Sequence, residues 1–464
     1  MIDELTSIVI NASNVDYCEA RFHKRSEQKI SISKGEFDEV ISNEIQGVCF
    51  RVNINGTWGF SSTGNLNKTN LNNTLLEAIS SAKSISSSKS SSSFKLADAN
   101  LAKGKFSPPI DGPLDKISIE EKIKLVKDSE SEARTYRKNI KSASSSYREL
   151  LDSKVIVTND GVSAEIFDSK PEFRVSVVVQ NNGELYSSSE AVGVTGGWND
   201  LFSKSDALTL SRHAAEKTCK LANSRTLKGS RSTVILDPAL VGLISHEAIG
   251  HTVEADFVLS GSIAKDMIGK KVASDIVTMV DSGPSAIVGK AGGTLLVDDE
   301  GVLTESTVLV DNGVLSSYLH NRESAELFSV SPTGNSRAYE YHNEPLIRMR
   351  NTFIEPGDWT LDDLISDTKS GYLLKGAKSG QADANGEFMF GTQEAYLIER
   401  GEIKDLFRGV TISGQAYDVL KTVDALSDDF SYEIGSGYCG KGQLAKVDGG
   451  GPHLRCEVVL GGEQ

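Results

Sequence analysis

The sequence predicts an α+β protein: an N-terminal α+β domain with antiparallel sheets, followed by a β-rich C-terminal domain of barrel- or sandwich-like form. Three observations predict this class. Stretches of alternating apolar and polar residues, separated by glycine-bearing turns, fill residues 17–61 and 143–196. Helical spacing of apolar residues is confined to a few separate segments, and after residue 230 strand and turn patterns dominate. No repeat of about 20–50 residues is evident.

The first part of the chain alternates helices with an antiparallel meander. Apolar spacing predicts helices at about 2–12, 69–85, 118–138 and 204–223. The third of these begins with the capping box Ser118-Ile119-Glu120-Glu121. Period-two patterns predict strands at 17–22, 29–32, 46–52 and 58–61, and a further strand region at 143–196. Lys34-Gly35, Asn55-Gly56, Asn159-Asp160-Gly161 and Asn181-Asn182-Gly183 mark the turns.

The predicted domains are residues 1–228 and 229–464. The boundary is placed near 225–231, where the polar segment 228–231 intervenes, and the N-terminal domain has a possible subdivision near 85–115. That subdivision rests on the serine-rich stretch at 84–93, which has no apolar face to bury and is typical of a linker. Beyond one helix at 238–254, strands are predicted around 295–298, 308–311 and 395–399.

Composition limits the function classes. The chain has 464 residues, with 49 Lys and Arg against 64 Asp and Glu, and a net charge of −15. Such an acidic surface repels phosphate backbones, so we expect no nucleic-acid partner. Five widely spaced cysteines indicate a reducing compartment rather than a disulfide scaffold. Without a signal pattern or an apolar run of about 18 residues, we expect a cytoplasmic protein with no membrane segment.

One helix carries the candidate chemistry. Asp237 is a plausible N-cap and Pro238 suits the first helical position, so a helix should begin here and contain His246-Glu247-Ala248-Ile249-Gly250-His251. This H-E-x-x-x-H pattern is one residue longer than the H-E-x-x-H pattern of zinc peptidases. Side chains five apart on an ideal α-helix diverge by about 140°. We therefore predict a local distortion, either a π-bulge or a break at Gly250.

In this interpretation His246 and His251 bind a metal, and Glu247 acts as general base. The alternative is a helix with two unrelated histidines and a surface glutamate. A catalytic zinc ion needs a third protein ligand, which spacing alone leaves open. The candidates are Glu254, Asp256, His320, His342, Cys439, His453 and Cys456. Cys439 lies in a glycine-rich segment beside Lys441, whereas Cys456 lies in an alternating run typical of a strand.

The chain resembles the TldD/PmbA family, and within it the metal-bearing TldD-type branch. Residues 246–257 are similar to the family's H-E-x-x-x-H helix. Residues 333–335 and 348–352 are similar to its T-G-N and R-M-x-N-T elements. Further similar segments lie at 269–274, 380–383, 408–411 and 439–443. The last is one residue shorter than the family's C-G-K-x-G-Q segment, and the extra tail glycines 449–451 also depart from the pattern.

The resemblance implies a zinc peptidase that hydrolyses short or unfolded peptides. It implies His246, His251 and Cys439 as ligands of Zn²⁺ and Glu247 as general base. It further implies a dimer, formed either by two copies of this chain or with a PmbA-type paralogue that lacks the metal motif. Peptides and the second subunit are thus the expected partners.

Two rival hypotheses remain at this level. The chain is a regulatory or binding subunit whose cleavage depends on a paralogous partner, or it is a peptidase of the dipeptidyl-peptidase type. The second rival uses a downstream glutamate as third ligand, for which Glu254 is the local candidate.

Overall fold

The computed structural model describes residues 1–86, 95–287 and 289–462, and these form the predicted α+β architecture. The serine-rich linker predicted at 84–93 lies mostly outside these residues. The helices described are α1 Ile2–Ile10, α2 Lys68–Ser86, α3 Ile119–Thr135, α4 Trp198–Leu201, α5 Ala207–Leu221, α6 Pro238–Leu243, α7 Ala255–Leu259, α8 Arg322–Phe328, α9 Leu361–Asp367 and α10 Ala416–Lys421. None of them is long and apolar enough to cross a bilayer.

The strands alternate with these helices along the chain. Those before residue 240 are β1 Tyr17–Ser33, β2 Glu36–Ile54, β3 Thr57–Thr63, β4 Lys103–Phe106, β5 Ile140–Thr158, β6 Ser163–Asn181, β7 Glu184–Gly193, β8 Arg225–Thr226 and β9 Ser230–Leu236. Those after it are β10 Met279–Ser282, β11 Ser306–Asp311, β12 Val314–Leu315, β13 Ser336–Arg337, β14 Leu346–Ile347, β15 Asn351–Ile354, β16 Ser370–Ala382, β17 Glu387–Glu399, β18 Glu402–Arg408, β19 Thr411–Gln415, β20 Ala425–Leu426, β21 Ser431–Tyr432, β22 Tyr438–Gly440, β23 Leu444–Lys446, β24 Asp448–Gly451 and β25 Leu454–Gly461.

The N-terminal sheet is built from long antiparallel hairpins. Its strand order is β3-β2-β1-β5-β6-β4, and β7 pairs with β6. The turns fall where the sequence predicts them: Asn55 and Asn182, each followed by glycine, adopt left-handed backbone conformations (φ of 50° and 52°). The strands predicted separately at 17–22 and 29–32 are parts of one continuous strand, β1. This strand pairs with β2 over seventeen residues.

Both faces of this sheet are covered, and the two faces differ in character. Along β1, even-numbered residues such as Cys18 and Ile30 pack into the apolar cores under the helices. The odd-numbered polar residues of the first half of β1 are buried on the opposite face, towards the C-terminal domain; they are Glu19, Arg21, His23 and Arg25. Arg21, for example, pairs with Asp299 at 3.3 Å and donates to the carbonyl of Asn343 at 2.6 Å. The interface between the two halves of the chain is thus charged as well as buried.

The C-terminal half contains a closed barrel and a second sheet. Strands β16, β9, β25, β19 and β17 pair in that order, and β17 pairs back to β16, which closes the ring. The second sheet has the order β12-β11-β10-β15-β24-β21. α6 follows β9 directly and, with the residues after it, packs into the core shared by barrel and sheet. The barrel-like alternative for this domain is confirmed.

Two details of the predicted C-terminal half are wrong. Residues 295–298 are not a strand: the carboxylate of Asp298 accepts the backbone N–H groups of Glu300 and Val302, which closes a turn instead. The short helices α7 to α10 were also not predicted, since segments of five to seven residues carry too little periodicity to detect.

Candidate metal centre

The motif helix begins as its sequence predicts and then changes its winding. The side chain of Asp237 accepts the N–H of Leu240 at 3.0 Å, and Pro238 occupies the first helical position. After α6 the chain forms a π-helical segment at Ile244–Gly250 and a 3₁₀ turn at His251–Val253. The N–H of His251 donates to the carbonyl of His246, five residues earlier. The predicted distortion is confirmed, and it is the wider π turn that brings the two motif histidines onto one side.

Two glycines of this segment are required for close packing. A Cβ atom on Gly250 would lie 1.9 Å from Sδ of Met349. A Cβ atom on Gly242 would lie 2.5 Å from the backbone of Gly449, in β24. The sequence leaves the tail glycines 449–451 unexplained. In the structure the motif helix packs directly against their backbone, which requires residues without side chains.

Cys439, the third ligand implied by the family resemblance, lies on a two-stranded hairpin formed by β22 and β23. Residues 438–446 are called here the cysteine hairpin. Cys439 pairs with Ala445 across it, and Gly442 makes the turn at φ 70°. Sγ of Cys439 lies 3.2 Å from Nε2 of His251. One donor atom each from His246, His251 and Cys439 all lie within 4.8 Å of one another. Among the described residues, no other three His, Cys, Asp or Glu side chains bring their donor atoms this close together.

The interior side of the centre is buried and the outer side is open. His246 is 1% exposed and Cys439 is 4% exposed. The side chains of His251 and Glu247 are 21% and 34% exposed, with Nε2 of His251 3.7 Å from a carboxylate oxygen of Glu247. Glu247 therefore borders the side from which a substrate would approach.

The charges of the centre favour a thiolate. Burial alone would raise the pKa of Cys439, but the neighbouring His246 and His251 imidazoles lower it to about 4. Burial would lower the pKa of His251, yet Cys439 and Glu254 raise it to about 10. A deprotonated cysteine is the form that binds metals.

Glu254, a candidate ligand, has a different role in the structure. It is fully buried and accepts from Nδ1 of His251 at 3.1 Å, while Nζ of Lys441 approaches it at 2.9 Å. Lys441 also contacts Asp256 at 2.7 Å. Carboxylates in this position orient a ligating imidazole and fix its tautomer. Glu254 thus lies behind His251 rather than beside the other donors.

The remaining candidates have partners of their own. Nδ1 of His453 lies 2.7 Å from Asp429, Nδ1 of His320 lies 3.0 Å from Ser324, and His342 is half exposed beside Glu340. Cys456 is buried in β25, as the strand pattern predicts. Sequence reasoning missed Arg348, which contacts the cysteine hairpin from the C-terminal core. It also missed the role of Lys441, which binds Glu254 behind His251.

The donor set fits a divalent metal ion. Within the described part of the chain, neither ring nitrogen of buried His246 has a hydrogen-bond partner. A buried imidazole with both nitrogens unsatisfied is unfavourable unless something else binds it. Two imidazoles and a thiolate match the ligands that zinc prefers, and a site with three protein ligands keeps a position free for chemistry.

Known proteins agree with these features. Models of the PmbA/TldA metallopeptidase family match as domain 1 at residues 18–86, as the central domain at 112–222 and as the C-terminal domain at 229–461. A metalloprotease of Methanocaldococcus jannaschii is 36% identical over 446 residues, covering 94% of this chain and 95% of the relative. A zinc metalloprotease TldD homologue of Saccharolobus solfataricus is 28% identical and covers 94% and 97%.

The fold also has a solved counterpart. The crystal structure of TldE from Thermococcus kodakarensis superposes with a TM-score of 0.79 at 17% identity, covering 99% of each chain. At that identity the likeness concerns the fold alone. The three matching family domains and the metalloprotease relatives carry the assignment further: this chain belongs to the PmbA/TldD metallopeptidase family.

Proposed function

We propose that the chain is a zinc-dependent peptidase that hydrolyses short or unfolded peptides in the cytoplasm. The convergence of His246, His251 and Cys439, with Glu247 at the open side, is the observation that carries this proposal. The name of the Saccharolobus solfataricus relative, a zinc metalloprotease, supports the choice of metal.

In this function His246, His251 and Cys439 hold the zinc ion. The ion, when bound, supplies Lewis acidity that polarises a peptide carbonyl and acidifies water. The carboxylate of Glu247, on the exposed side next to His251, would take a proton from the attacking water and pass it to the leaving amine. Glu254 accepts a hydrogen bond from Nδ1–H of His251, which holds the proton on Nδ1 and leaves Nε2 free to bind the metal.

The preference for short or unfolded peptides is supported by the depth of the donors. His246 and Cys439 are nearly inaccessible, so a scissile bond must reach past the surface, which an extended segment does more readily than a folded domain. The family resemblance supports a second subunit, either another copy or a PmbA-type paralogue. A strand-rich domain of this kind can hold an extended peptide by main-chain pairing.

The test compares the full-length protein with a Glu247→Gln variant. Each is loaded with zinc, its metal content is measured by plasma mass spectrometry, and a mixture of unstructured peptides is digested and analysed by mass spectrometry. We expect both proteins to hold one zinc ion. Cleavage by the variant should fall about 100-fold or more, the usual contribution of a general base. Glu305→Gln, an exposed glutamate of the same domain, is the matched control.

The outcomes separate the hypotheses. Cleavage that survives Glu247→Gln removes the general-base role. For a wild-type protein that holds zinc but cleaves nothing until a paralogous chain is added, the Glu247→Gln variant decides: loss of the restored cleavage makes the paralogue the second subunit of the peptidase, and survival of that cleavage supports the regulatory-subunit alternative. A protein that binds no zinc contradicts the proposal.

A further inference from the structure

The cysteine hairpin needs support that its own ladder does not supply. Its strands share three paired positions, with Cys439 opposite Ala445 in the middle. A two-stranded ribbon of this length is marginal in isolation. Yet Sγ of Cys439 lies 3.2 Å from His251, a residue 188 positions earlier in the chain. Contacts from outside the hairpin must therefore hold it in place.

Arg348 provides such a contact from within the C-terminal core. It is 0% exposed, and its guanidinium donates to the carbonyl of Cys439 at 2.7 Å and to the carbonyl of Gln443 at 2.8 Å. These two carbonyls lie on either side of the hairpin turn. One planar fork therefore binds β22 at Cys439 and the turn residue directly before β23, Gln443, a geometry that arginine provides and lysine does not.

The backbone of Arg348 is fixed in turn by a buried polar network. Its N–H donates to the carbonyl of Asn335 and its carbonyl accepts from Nδ2 of Asn335, each at 2.9 Å. Nδ2 of Asn335 also donates to Asp281 at 2.9 Å, and Asp281 pairs with fully buried Arg350 at 2.8 Å. The T-G-N and R-M-x-N-T segments, whose purpose the motif chemistry leaves unexplained, thus form one frame behind the hairpin.

Arg348 is an unusual residue to bury for stability alone. Among the described residues it forms no salt bridge, and its Nε has no hydrogen-bond partner, whereas Arg350 next to it is fully paired with Asp281. A buried cation without a carboxylate partner is unfavourable unless its donors are used well. The donors of Arg348 are directed at the carbonyls of the cysteine hairpin.

We propose that Arg348 is a positioning residue that sets the place of the Cys439 thiolate by holding the carbonyls of Cys439 and Gln443. The expected effect of Arg348 on metal binding rests on the proposed function. Its effect on the position of the hairpin does not. Removing the fork releases the carbonyl of Cys439, while Lys441, Gln443 and Lys446 still attach the rest of the hairpin to its surroundings, so Sγ samples positions away from the two imidazoles.

The experiment compares Arg348→Met, which keeps the length but removes the donors, with Arg348→Lys and with Arg322→Met. Arg322 is the matched control: it is also buried and pairs with Asp160 at 2.7 Å, and its partners lie outside the cysteine hairpin. Hydrogen–deuterium exchange of the amides at 438–446 is measured on the full-length, metal-free protein. Zinc affinity is measured by competition with a chromogenic chelator.

Both Arg348 variants should exchange hairpin amides at least tenfold faster than wild type, with β9 unchanged. Zinc affinity should fall about tenfold or more, the size expected for groups behind a metal ligand. Arg322→Met should leave both quantities near wild type. Arg348→Met with wild-type hairpin exchange overturns the proposal, and so does equal loosening by Arg322→Met. Arg348 variants that fail to fold while Arg322→Met folds assign Arg348 to folding and also overturn it.

The two proposals fail separately. A wild-type protein that binds no zinc contradicts the peptidase function, while the exchange measurement still decides whether Arg348 holds the hairpin.

Discussion

Replacing Gly250 by alanine tests the reason for the unusual spacing of the motif. On an ordinary exposed helix this change stabilises by about 1 kcal/mol, because alanine is the better helix former. Here the new Cβ would lie 1.9 Å from Sδ of Met349 and 3.1 Å from the carbonyl of Ser245. Carbon and sulfur need about twice the first distance to avoid overlap. Met349 is 0% exposed, so moving its side chain disturbs the packed core around it.

Overpacking of a tight core costs about 1–3 kcal/mol, and the helix gain offsets about 1 kcal/mol of this cost, so we expect Gly250→Ala to destabilise the metal-free protein by up to about 2 kcal/mol. The displaced π turn should also weaken zinc binding, since His251 follows Gly250 directly. In a Met349→Ala background the obstacle is absent. The same substitution should then be neutral or stabilising, which gives a coupling free energy of about 2 kcal/mol.

Urea unfolding of the four metal-free proteins, followed by circular dichroism, measures the coupling. Chelator competition on the folded proteins measures zinc affinity. If Gly250→Ala stabilises the wild-type protein, or destabilises it equally in both backgrounds, contact with Met349 is not the reason for the glycine.

Three further predictions concern the same half of the chain. His246→Ala, His251→Ala and Cys439→Ala should each abolish zinc binding measured by plasma mass spectrometry, with little change in the melting temperature of the metal-free protein, because a core of this size does not depend on one site. Glu254→Gln should weaken zinc binding about 10–100-fold without abolishing it; full zinc occupancy in Cys439→Ala with none in Glu254→Gln would make Glu254 the third ligand. Burial lowers the pKa of His320 from 6.5 to about 4. As the pH falls below 6.5, His320 is therefore protonated in the unfolded chain while it stays neutral in the folded chain. Stability should therefore drop by up to about 3 kcal/mol between pH 6.5 and 4, and His320→Gln should flatten this dependence in urea titrations.

Local sequence chemistry was sufficient to predict where elements begin and turn. The Asp237 cap and Pro238 determine the start of α6, and Ser118 with Glu121 forms the predicted capping box of α3. Asn55 adopts the left-handed backbone that hairpin turns require. These features depend on residues within four positions of one another, so a single sequence contains all the information they need.

The π turn was predictable for a different reason. Two histidines five apart are incompatible with one metal on an ideal α-helix, so chemistry and geometry conflicted, and only a distorted helix resolved the conflict. What the sequence left open was the type of distortion. Gly250 reads as a weak helix former, but in the structure its backbone is helical, and its missing side chain makes room for Met349.

Long-range features were not predictable from spacing. Nothing near His251 distinguishes Cys439, 188 residues away, from the nearer Glu254 as its partner in a metal centre. The resemblance to a family favoured Cys439 on grounds other than physics. The contact of Arg348 with the hairpin carbonyls is equally hidden, because a buried arginine has the same sequence signature as an exposed one.

The centre also depends on the N-terminal half of the chain. Lys446, on the strand opposite Cys439, pairs with Glu172 of β6. The ring of Tyr438 lies under the guanidinium of Arg148 at 4.6 Å and near Nζ of Lys446 at 4.5 Å. The cysteine hairpin is therefore enclosed between the core of the C-terminal half and the N-terminal sheet. Because residues from both sides of the proposed boundary at 228–229 hold it, the long, doubly covered N-terminal sheet is part of what positions the cysteine hairpin beside the two histidines.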